Sequence, residues 1–185
     1  VLNSITGNWA EQAVVPAKQV IPLPASLSVE QAATFFINPV TAYVMVQRVL
    51  RVPAGGWLLQ TAAGSQLGRM VIRLGRRLGF RTINIVRRDE QVEELAGLGG
   101  DHVLAFRADE QSSQDLANVI REITGGGAGY AIDPVAGPLG SAVVNCLDQG
   151  GRMLCYGPLD ERPLEFSPRV LMSQDASIEG FWLGP

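Results

Sequence analysis

The sequence predicts an α/β fold organised on a six-stranded, parallel, doubly wound sheet with strand order 3-2-1-4-5-6. Two observations predict it. From Gly56 onward, short apolar and β-branched runs alternate regularly with amphipathic helical patterns, and parallel strands joined by right-handed crossovers need helices on both faces. The first apolar run also breaks into a turn of small residues directly before a helical pattern through Met70, Val71 and Leu74.

Composition and charge narrow the function classes. The 185 residues, 46% of them hydrophobic, suffice for one full domain core. A net charge of −3 without a long basic run argues against nucleic acid as a partner, and the apolar runs are shorter than the ~20 residues that cross a bilayer. We therefore expect a cytoplasmic protein without a membrane partner. The only two cysteines, Cys146 and Cys155, are flanked by apolar residues and are expected to be buried small hydrophobes.

The N-terminal region does not resemble the start of such a domain. Residues 7–15 alternate as a strand, but no partner strand lies nearby, and a lone strand cannot bury its apolar face. We interpret residues 1–25 as the remnant of a β-rich domain with its connector, and residues 26–185 as the main domain.

Two helices are expected before the sheet. Ser28 with Gln31 forms a capping box that opens the first, Asn38-Pro39 is expected to interrupt it, and a second helix follows over residues 40–50. The later strands are predicted in the run after Gly56 and over residues 81–86, 102–106, 129–133, 152–156 and 177–183. The intervening helices are predicted to end at Leu78 and to cover residues 90–98, 114–123 and 139–147, with a short helical turn over residues 168–173.

The turn after the first strand carries the main functional signal. In doubly wound sheets this turn directs backbone N–H groups and a helix dipole at a phosphate, and its residues must be small. Ala63 and Ser65 stand where the first two glycines of G-x-G-x-x-G would be, and Gly68 fills the third place. The turn predicts a dinucleotide site; the alternative is an ordinary strand-to-helix connection that binds nothing.

Two arginines indicate which dinucleotide. Arg87 and Arg88 follow the second strand, where an acidic residue receives the ribose of NAD and a basic one accommodates the additional phosphate of NADP. Guanidinium groups form charge-assisted contacts with a phosphate and gain little from a neutral ribose. NADP(H) is therefore the predicted cofactor, with solvated loop charges as the alternative. Asp89 lies farther on and is expected to cap the next helix.

The ends of strands four, five and six are expected to converge on the nicotinamide half of the site. Small residues together with Tyr156, Phe181 and Trp182 suit a flat ring there. Ordinary core packing is the alternative for each of the three aromatic residues. His102, the single histidine, begins a strand far from this site, and a structural role is expected for it.

Several strings of residues together are similar to one family: Gly7-Asn8-Trp9-Ala10-Glu11, Asn38-Pro39-Val40-Thr41-Ala42-Tyr43, the turn from Gln60 to Gly68, Thr82-Ile83-Asn84-Ile85-Val86-Arg87 and Gly180-Phe181-Trp182-Leu183. By these the chain resembles the cofactor domain of the medium-chain dehydrogenase/reductase superfamily, in its zinc-independent quinone-reductase branch. It is most similar there to mitochondrial-type trans-2-enoyl-thioester reductases. The resemblance implies a Rossmann domain preceded by a GroES-like catalytic domain, and the mitochondrial matrix as the compartment in a eukaryote.

The resemblance also implies residue roles and a partner. It implies cofactor contacts by Asn38, a pyrophosphate cradle at Gly64, Ser65, Gln66 and Leu67, a 2′-phosphate site at Arg87 and Arg88, and a nicotinamide lining of Tyr156, Gly157, Pro158, Leu159, Phe181, Trp182 and Leu183. Gln66 departs from the family by replacing a residue that is usually small. The last strand of the family commonly pairs with its mate, so a homodimer is expected.

The functional prediction is the NADPH-binding portion of an oxidoreductase that transfers hydride to an activated C=C bond, with a 2-enoyl thioester as its substrate. The family's proton-donating tyrosine belongs to the N-terminal domain, so we assign no catalytic residue and no metal ligand here. The 185 residues alone are expected to be inactive. The alternatives are a quinone or enone oxidoreductase and a truncated, non-catalytic nucleotide-binding or dimerisation module.

Overall fold

A computed structural model describes residues 10–184 and contains one parallel six-stranded sheet with the order β3-β2-β1-β4-β5-β6. The strands are β1 (Trp57–Gln60), β2 (Arg81–Val86), β3 (His102–Ala105), β4 (Ala128–Asp133), β5 (Leu147–Cys155) and β6 (Ser177–Gly180). The predicted fold class and strand order are confirmed.

Seven α-helices are present in the described part of the chain: α1 (Val29–Thr34), α2 (Ile37–Tyr43), α3 (Gln66–Leu78), α4 (Glu90–Leu98), α5 (Ser113–Thr124), α6 (Gly137–Val144) and α7 (Pro168–Gln174). A π-helical segment, Val44–Val49, continues α2, and a 3-10 turn occupies Ala17–Gln19. None of these helices has the length and apolar character that crossing a bilayer requires.

The core lies in two layers because side chains alternate across each strand. On one face, Leu58 of β1 packs with α2, the π-helical segment and α3, while α3 and α4 enclose Val86 of β2. On the other face, Leu59 of β1 packs with α5 and α6, and α7 adds Val170 and Leu171. Helices on both faces leave the carboxyl ends of the strands open along one edge, as a doubly wound sheet requires.

Two predictions about the N-terminal region are corrected. The strand expected over residues 7–15 is wrong for residues 10–15, which form no strand, and residues 7–9 lie outside the described part. The helix break predicted at Asn38-Pro39 occurs earlier, between Thr34 and Ile37. Asn38 and Pro39 instead lie in the first turn of α2, where a residue without an N–H costs no hydrogen bond. The assignment of residues 1–25 to another domain stays a prediction.

Other boundaries differ from expectation by a few residues. β6 ends at Gly180 rather than at 183, and α6 ends at Val144 rather than at 147, because Leu147 already belongs to β5. Cys146 is buried as expected, whereas Cys155 is only partly buried. Burial raises the pKa of the Cys146 thiol to about 12 and that of Cys155 to about 11. His102 opens β3 and lies against Trp57, with 5.5 Å between ring centroids.

Candidate functional site

The turn between β1 and α3 is held between the two neighbouring strands. Thr61 donates its N–H to the carbonyl of Ile132 on β4, at 3.2 Å, and Ala63 donates to the carbonyl of Ile85 on β2, at 3.1 Å. Ala62, between them, has a φ of +47°, a left-handed conformation that only a tightly constrained turn imposes on a residue with a side chain. The turn is therefore fixed in place by the sheet itself.

Helix α3 begins directly after this turn and is capped by it. Ser65 accepts a hydrogen bond from the N–H of Gly68 through its Oγ, at 3.1 Å, which satisfies one of the free donors of the first helical turn. A Cβ at Gly68 would lie 2.5 Å from the carbonyl oxygen of Ala63. Gly68 thus lets the helix approach the strand, the role of the third glycine in a dinucleotide turn.

A cleft of about 1170 Å³ opens beside this turn at the carboxyl ends of the strands. Its apolar walls come from the end of β2, from the segments that follow β3, β4 and β5, and from helix α6: Ile85, Val86, Phe106, Val135, Leu159 and Leu139. Its charged walls contain both signs: the arginines are Arg87, Arg88, Arg107 and Arg162, and the carboxylates are Glu90, Asp109, Glu110, Asp160 and Glu161. An apolar slot with cationic groups at its rim suits a flat aromatic base that carries phosphate groups.

The cationic rim is built from two adjacent strands. Arg87 and Arg88 directly follow β2, and both are exposed. Arg107 follows β3, and its guanidinium lies 2.6 Å from the carboxylate of Asp89. Asp89 is at the N-cap position of α4, but its side chain makes no capping hydrogen bond. The predicted cap was wrong because the carboxylate binds Arg107 instead.

The opposite rim is a second ion-paired cluster. Arg162 contacts Asp109 at 2.8 Å and Asp160 at 2.7 Å. Hydrogen bonds from Arg162 lower the pKa of Asp160 to about 2. Asp109 follows β3 and Arg162 follows β5, so this pair joins two loops across the sheet order.

A buried carboxylate organises the end of β4. Asp133 accepts a hydrogen bond from the Thr61 hydroxyl and two more from the backbone N–H groups of Val135, at 3.0 Å, and Ala136, at 2.8 Å. Desolvation outweighs these hydrogen bonds and raises the pKa of Asp133. The bond to Thr61 ties the loop after β4 to the turn after β1, so both sides of the cleft share one anchor.

Five of the predicted site residues line the cleft: Gly64, Ser65, Arg87, Arg88 and Leu159. Gln66 and Leu67 form the first turn of α3, where Gln66 is exposed and the side chain of Leu67 is buried, so only the backbone of Leu67 is available to a ligand.

The other predicted residues lie outside this cleft. Asn38 is half-buried in α2, while Tyr156, Gly157 and Pro158 follow β5, and Phe181, Trp182 and Leu183 follow β6. Tyr156 and Phe181 pack against the core on the α2 face, and burial raises the pKa of Tyr156. Trp182 is 83% exposed. Their roles at a nicotinamide end stay predictions.

Three residues that line the cleft were not predicted from the sequence: Gln91, Arg107 and Arg162. A Cβ on Gly64 would lie 2.1 Å from the side-chain nitrogen of Gln91, so this amide covers the glycine. The position of Arg107 could have been recognised from the sequence, since it lies just beyond β3 as Arg87 lies just beyond β2. Among residues 10–184, no group of three or more His, Cys, Asp or Glu side chains is arranged to hold a metal.

Comparison with known proteins agrees with this geometry. The family model for zinc-binding dehydrogenase matches residues 67–185. The mitochondrial enoyl-[acyl-carrier-protein] reductase of Caenorhabditis elegans is 33% identical over 96% of this chain and 50% of its own length. The human enzyme is 30% identical over 98% of this chain and 48% of its own length. The chain thus spans about half the length of these relatives.

Solved structures of reductases are also similar to this chain. A Bacillus thuringiensis protein assigned as an NADPH:quinone reductase superposes with a TM-score of 0.81 at 30% identity, covering 91% of this chain and 50% of that one. The mitochondrial 2-enoyl thioester reductase heterodimer Etr1p/Etr2p of Candida tropicalis superposes at 0.76 and 27% identity, covering 85% and 45%. The complex of Etr1p with NADP and crotonyl-CoA also superposes at 0.76, with 28% identity over 85% of this chain and 45% of that one.

The family prediction is confirmed, since the relatives are the mitochondrial enoyl reductases and the structural neighbours include NADPH:quinone reductases. The matched residues make up well over half of the chain and contain most of the sheet. The chain belongs to the zinc-binding dehydrogenase family, within the medium-chain dehydrogenase/reductase superfamily, and corresponds to its C-terminal, cofactor-binding part.

Proposed function

We propose that this chain is the NADP(H)-binding part of an oxidoreductase that transfers hydride to an activated carbon–carbon double bond of a 2-enoyl thioester. The observation that carries the proposal is the cleft in which the turn after β1 meets Arg87 and Arg88 after β2. The Etr1p neighbour, solved with NADP and crotonyl-CoA, supports the same cofactor and substrate class.

The residues of the turn fit a pyrophosphate. Gly64 presents no side chain, and the Gln91 amide that covers it is the free end of a flexible side chain, which can move away from a ligand. The N–H groups of Gln66 and Leu67 at the start of α3 add the positive end of a helix dipole, whereas the Ser65 N–H already donates to the Ala62 carbonyl. The proposed cradle is therefore made mainly by backbone, so that the exposed Gln66 side chain is compatible with it in place of a small residue.

The arginine pair fits the 2′-phosphate, and the apolar wall fits the adenine. Arg87 and Arg88 are exposed and can turn toward a dianion. Phe106 and Leu139 offer apolar surface for a flat base in the same cleft. For the nicotinamide end we retain Asn38 and the residues that follow β5 and β6, namely Tyr156, Gly157, Pro158, Leu159, Phe181, Trp182 and Leu183.

Bound NADPH would supply the hydride, and the part of this chain is to bind and orient the dinucleotide. The backbone turn fixes the pyrophosphate, the arginines fix the adenosine end, and the two contacts together set the direction in which the dinucleotide extends along the strand ends. No proton donor is assigned within these residues. We therefore propose that the 185-residue chain by itself binds the cofactor without turning over substrate.

Replacing Arg87 and Arg88 together by alanine tests the cofactor assignment. NADPH affinity is expected to fall by at least about tenfold, because each charge-assisted hydrogen bond contributes about 1.5–3 kcal/mol. NADH affinity is expected to remain nearly unchanged, since NADH lacks the phosphate. Isothermal titration of both nucleotides on the chain measures the difference.

The matched control is the pair Arg73→Ala/Arg77→Ala on α3, which removes the same charge from exposed positions outside the cleft. It should change neither affinity appreciably. Equal affinities of the unchanged protein for NADPH and NADH would contradict the assignment. An equal loss of both nucleotides in the Arg87/Arg88 variant would point to a damaged fold instead.

A quinone or enone substrate is the second candidate, favoured by the TM-score of 0.81 with the assigned NADPH:quinone reductase. The two candidates share a cofactor domain, so the comparison must be made on a protein that includes the substrate-binding half of the cleft. NADPH oxidation with crotonyl-CoA but not with a simple benzoquinone would select the enoyl reductase. NADPH binding without oxidation by either substrate class would favour a non-catalytic module.

We also propose a homodimer formed through the β6 edge, and the mitochondrial matrix as the compartment if the source is a eukaryote, with the cytoplasm otherwise. The curated relatives named above are mitochondrial enzymes, and the solved Candida tropicalis neighbour is a heterodimer. Light scattering from the purified chain tests the first proposal, and fractionation of the source cells tests the second.

A further inference from the structure

We propose that Arg107 determines specificity for NADP(H) by neutralising Asp89, so that the 2′-phosphate subsite at Arg87 and Arg88 keeps its positive charge. This inference rests on the proposed function. Arg107 acts through Asp89 and is not required to touch the nucleotide itself.

Asp89 creates a problem for a phosphate site. In sheets of this kind, a carboxylate just after the second strand receives the ribose hydroxyls of NAD and repels the phosphate of NADP. Asp89 comes three residues after Val86, the last residue of β2, and directly after the arginine pair. Its side chain is 71% exposed. Left alone, this carboxylate would offset part of the charge that Arg87 and Arg88 supply.

The structure pairs Asp89 with Arg107, which also interacts electrostatically with Glu90 and Glu110. The terminal nitrogen of Arg107 donates to the carboxylate of Asp89 at 2.6 Å, and this hydrogen bond lowers the pKa of Asp89. Asp89 is therefore ionised at neutral pH and paired. Its carboxylate is occupied by Arg107 rather than by the helix N-terminus, where no capping hydrogen bond forms.

The backbone places Arg107 for this contact. Val86 and Ala105 are register partners in β2 and β3, and Phe106 continues the ladder by donating its N–H to the Val86 carbonyl at 2.9 Å. The Arg107 N–H donates to the side-chain oxygen of Gln111 at 2.9 Å, and the Arg107 carbonyl accepts from the Gln111 N–H. The base of Arg107 is thus fixed beside the residues that follow β2.

The test compares NADPH and NADH titrations, at low ionic strength, on the chain and three variants. Arg107→Ala is expected to weaken NADPH about three- to tenfold and to leave NADH unchanged, because the exposed Asp89 charge then repels the phosphate dianion. Asp89→Asn in the same background is expected to restore NADPH affinity to within about twofold of the original. Arg107→Lys keeps the positive charge and is expected to keep most of the preference for NADPH over NADH.

Several outcomes would overturn the inference. If Asp89→Asn fails to rescue Arg107→Ala, the arginine does not act through Asp89. If NADH is weakened as much as NADPH, the effect is not on the phosphate subsite. Arg121→Ala is the matched control, since it removes the same charge from an exposed position on α5 outside the cleft. If that variant lost the preference for NADPH over NADH equally, the effect would depend only on the net charge of the protein, which would also contradict the inference.

The failure of this inference differs from the failure of the proposed function. If the unchanged protein does not prefer NADPH to NADH, the cofactor assignment fails before any variant is compared. If it prefers NADPH and the rescue is absent, only the role of Arg107 fails. Thermal unfolding of each variant, followed by circular dichroism, checks that the fold is kept.

Discussion

Gly64 and Gly68 lie four residues apart where the turn after β1 leads into α3, but their missing side chains serve different purposes. A Cβ at Gly68 would meet backbone atoms of Ala63, 2.5 Å from its carbonyl oxygen and 2.7 Å from its Cα. A Cβ at Gly64 would meet only the end of the Gln91 side chain. Backbone cannot move aside without shifting the strand, whereas a flexible amide can rotate.

We therefore expect Gly68→Ala to lower the free energy of unfolding by about 1–3 kcal/mol, the usual cost of overpacking, and to weaken NADPH because the turn is displaced. Gly64→Ala should leave the free energy of unfolding within about 0.5 kcal/mol and weaken NADPH alone. Urea titration and nucleotide titration measure the two effects. Equal loss of stability in both variants would contradict this distinction.

Asp133 predicts a specific pH dependence. Burial raises the pKa of its carboxyl above the unfolded value, so the folded state binds the proton more tightly than the unfolded state does. Its contribution to stability is therefore fully present below the unfolded pKa of about 3.9 and is lost as the pH rises through the higher folded pKa.

Asp133→Asn should remove this dependence of the free energy of unfolding on pH. In the variant an amide nitrogen replaces one carboxylate oxygen, so one of the two N–H groups, of Val135 or of Ala136, loses its acceptor, a cost that does not depend on pH. The difference in the free energy of unfolding between the original protein and the variant should shrink as the pH rises from about 4. Urea titrations at a series of pH values measure it, and a difference that grows with pH would show that the folded pKa is lowered instead.

Residues whose role is local could be predicted from the sequence, and those whose role depends on register could not. Arg87 and Arg88 directly follow a β-branched run, so their position was visible. The pairing of Arg107 with Asp89 depends on the register of β2 with β3. Likewise, Gln60 and Asn84 are fully buried polar residues that bind each other at 2.7 Å beneath α3, a contact across two strands that periodicity does not reveal.

At the level of elements, the start of α2 shows how a helix boundary was predicted correctly but placed a few residues too late. Asn38-Pro39 does indicate a helix boundary, since proline lacks an N–H. The same property is harmless in a first helical turn, so the boundary lies before these residues rather than at them. A proline therefore indicates a nearby helix boundary without showing on which side of it the boundary lies; here the boundary is at Phe35 and Phe36, before the proline.

Strand β6 pairs with β5 through its backbone, and one arginine side chain ties it further to the rest of the molecule. Arg152 of β5 donates from Nε and a terminal nitrogen to the two carboxylate oxygens of Glu179 on β6, at 2.9 and 3.1 Å. Its other terminal nitrogen donates to the Val49 carbonyl, at 3.0 Å, at the end of the π-helical segment. This single side chain joins the edge strand to the helical layer on the α2 face.

Arg152→Ala should loosen β6 locally. We expect hydrogen exchange of the Phe181 N–H, which bonds to the Cys155 carbonyl at 2.8 Å, to accelerate about tenfold, corresponding to about 1.4 kcal/mol of local opening. Exchange in β1 should not change. Arg121→Ala, which removes an exposed arginine from α5, serves as the control. Uniform acceleration across the sheet would indicate global destabilisation rather than a local tie.

For the whole molecule, the strand order followed from the sequence because right-handed crossovers restrict the possible topologies. The end of β6, in contrast, could not be predicted from the sequence. Apolar residues continue to Leu183, but pairing with β5 stops after Cys155 and Gly180. Strand propensity alone cannot show where the neighbouring strand ends.

We propose that two copies of this molecule join at the outer edge of β6. Within residues 10–184, no strand pairs with that edge. Since the Phe181 N–H points to β5, the N–H of Gly180 points to the open side, because successive residues of a strand direct their N–H groups to opposite edges. Two-fold symmetry would pair the two β6 strands antiparallel, and the exposed Trp182 would add apolar surface beside them.

Gly180→Pro should abolish this dimer, because proline removes the outward N–H while the bonds of Phe181 to β5 remain. Gly180→Ala keeps the N–H and is the matched control; a Cβ there meets nothing within 4 Å. Multi-angle light scattering should give a dimer for the original protein and for Gly180→Ala, and a monomer for Gly180→Pro with unchanged NADPH affinity. A dimer that persists in Gly180→Pro must use another surface.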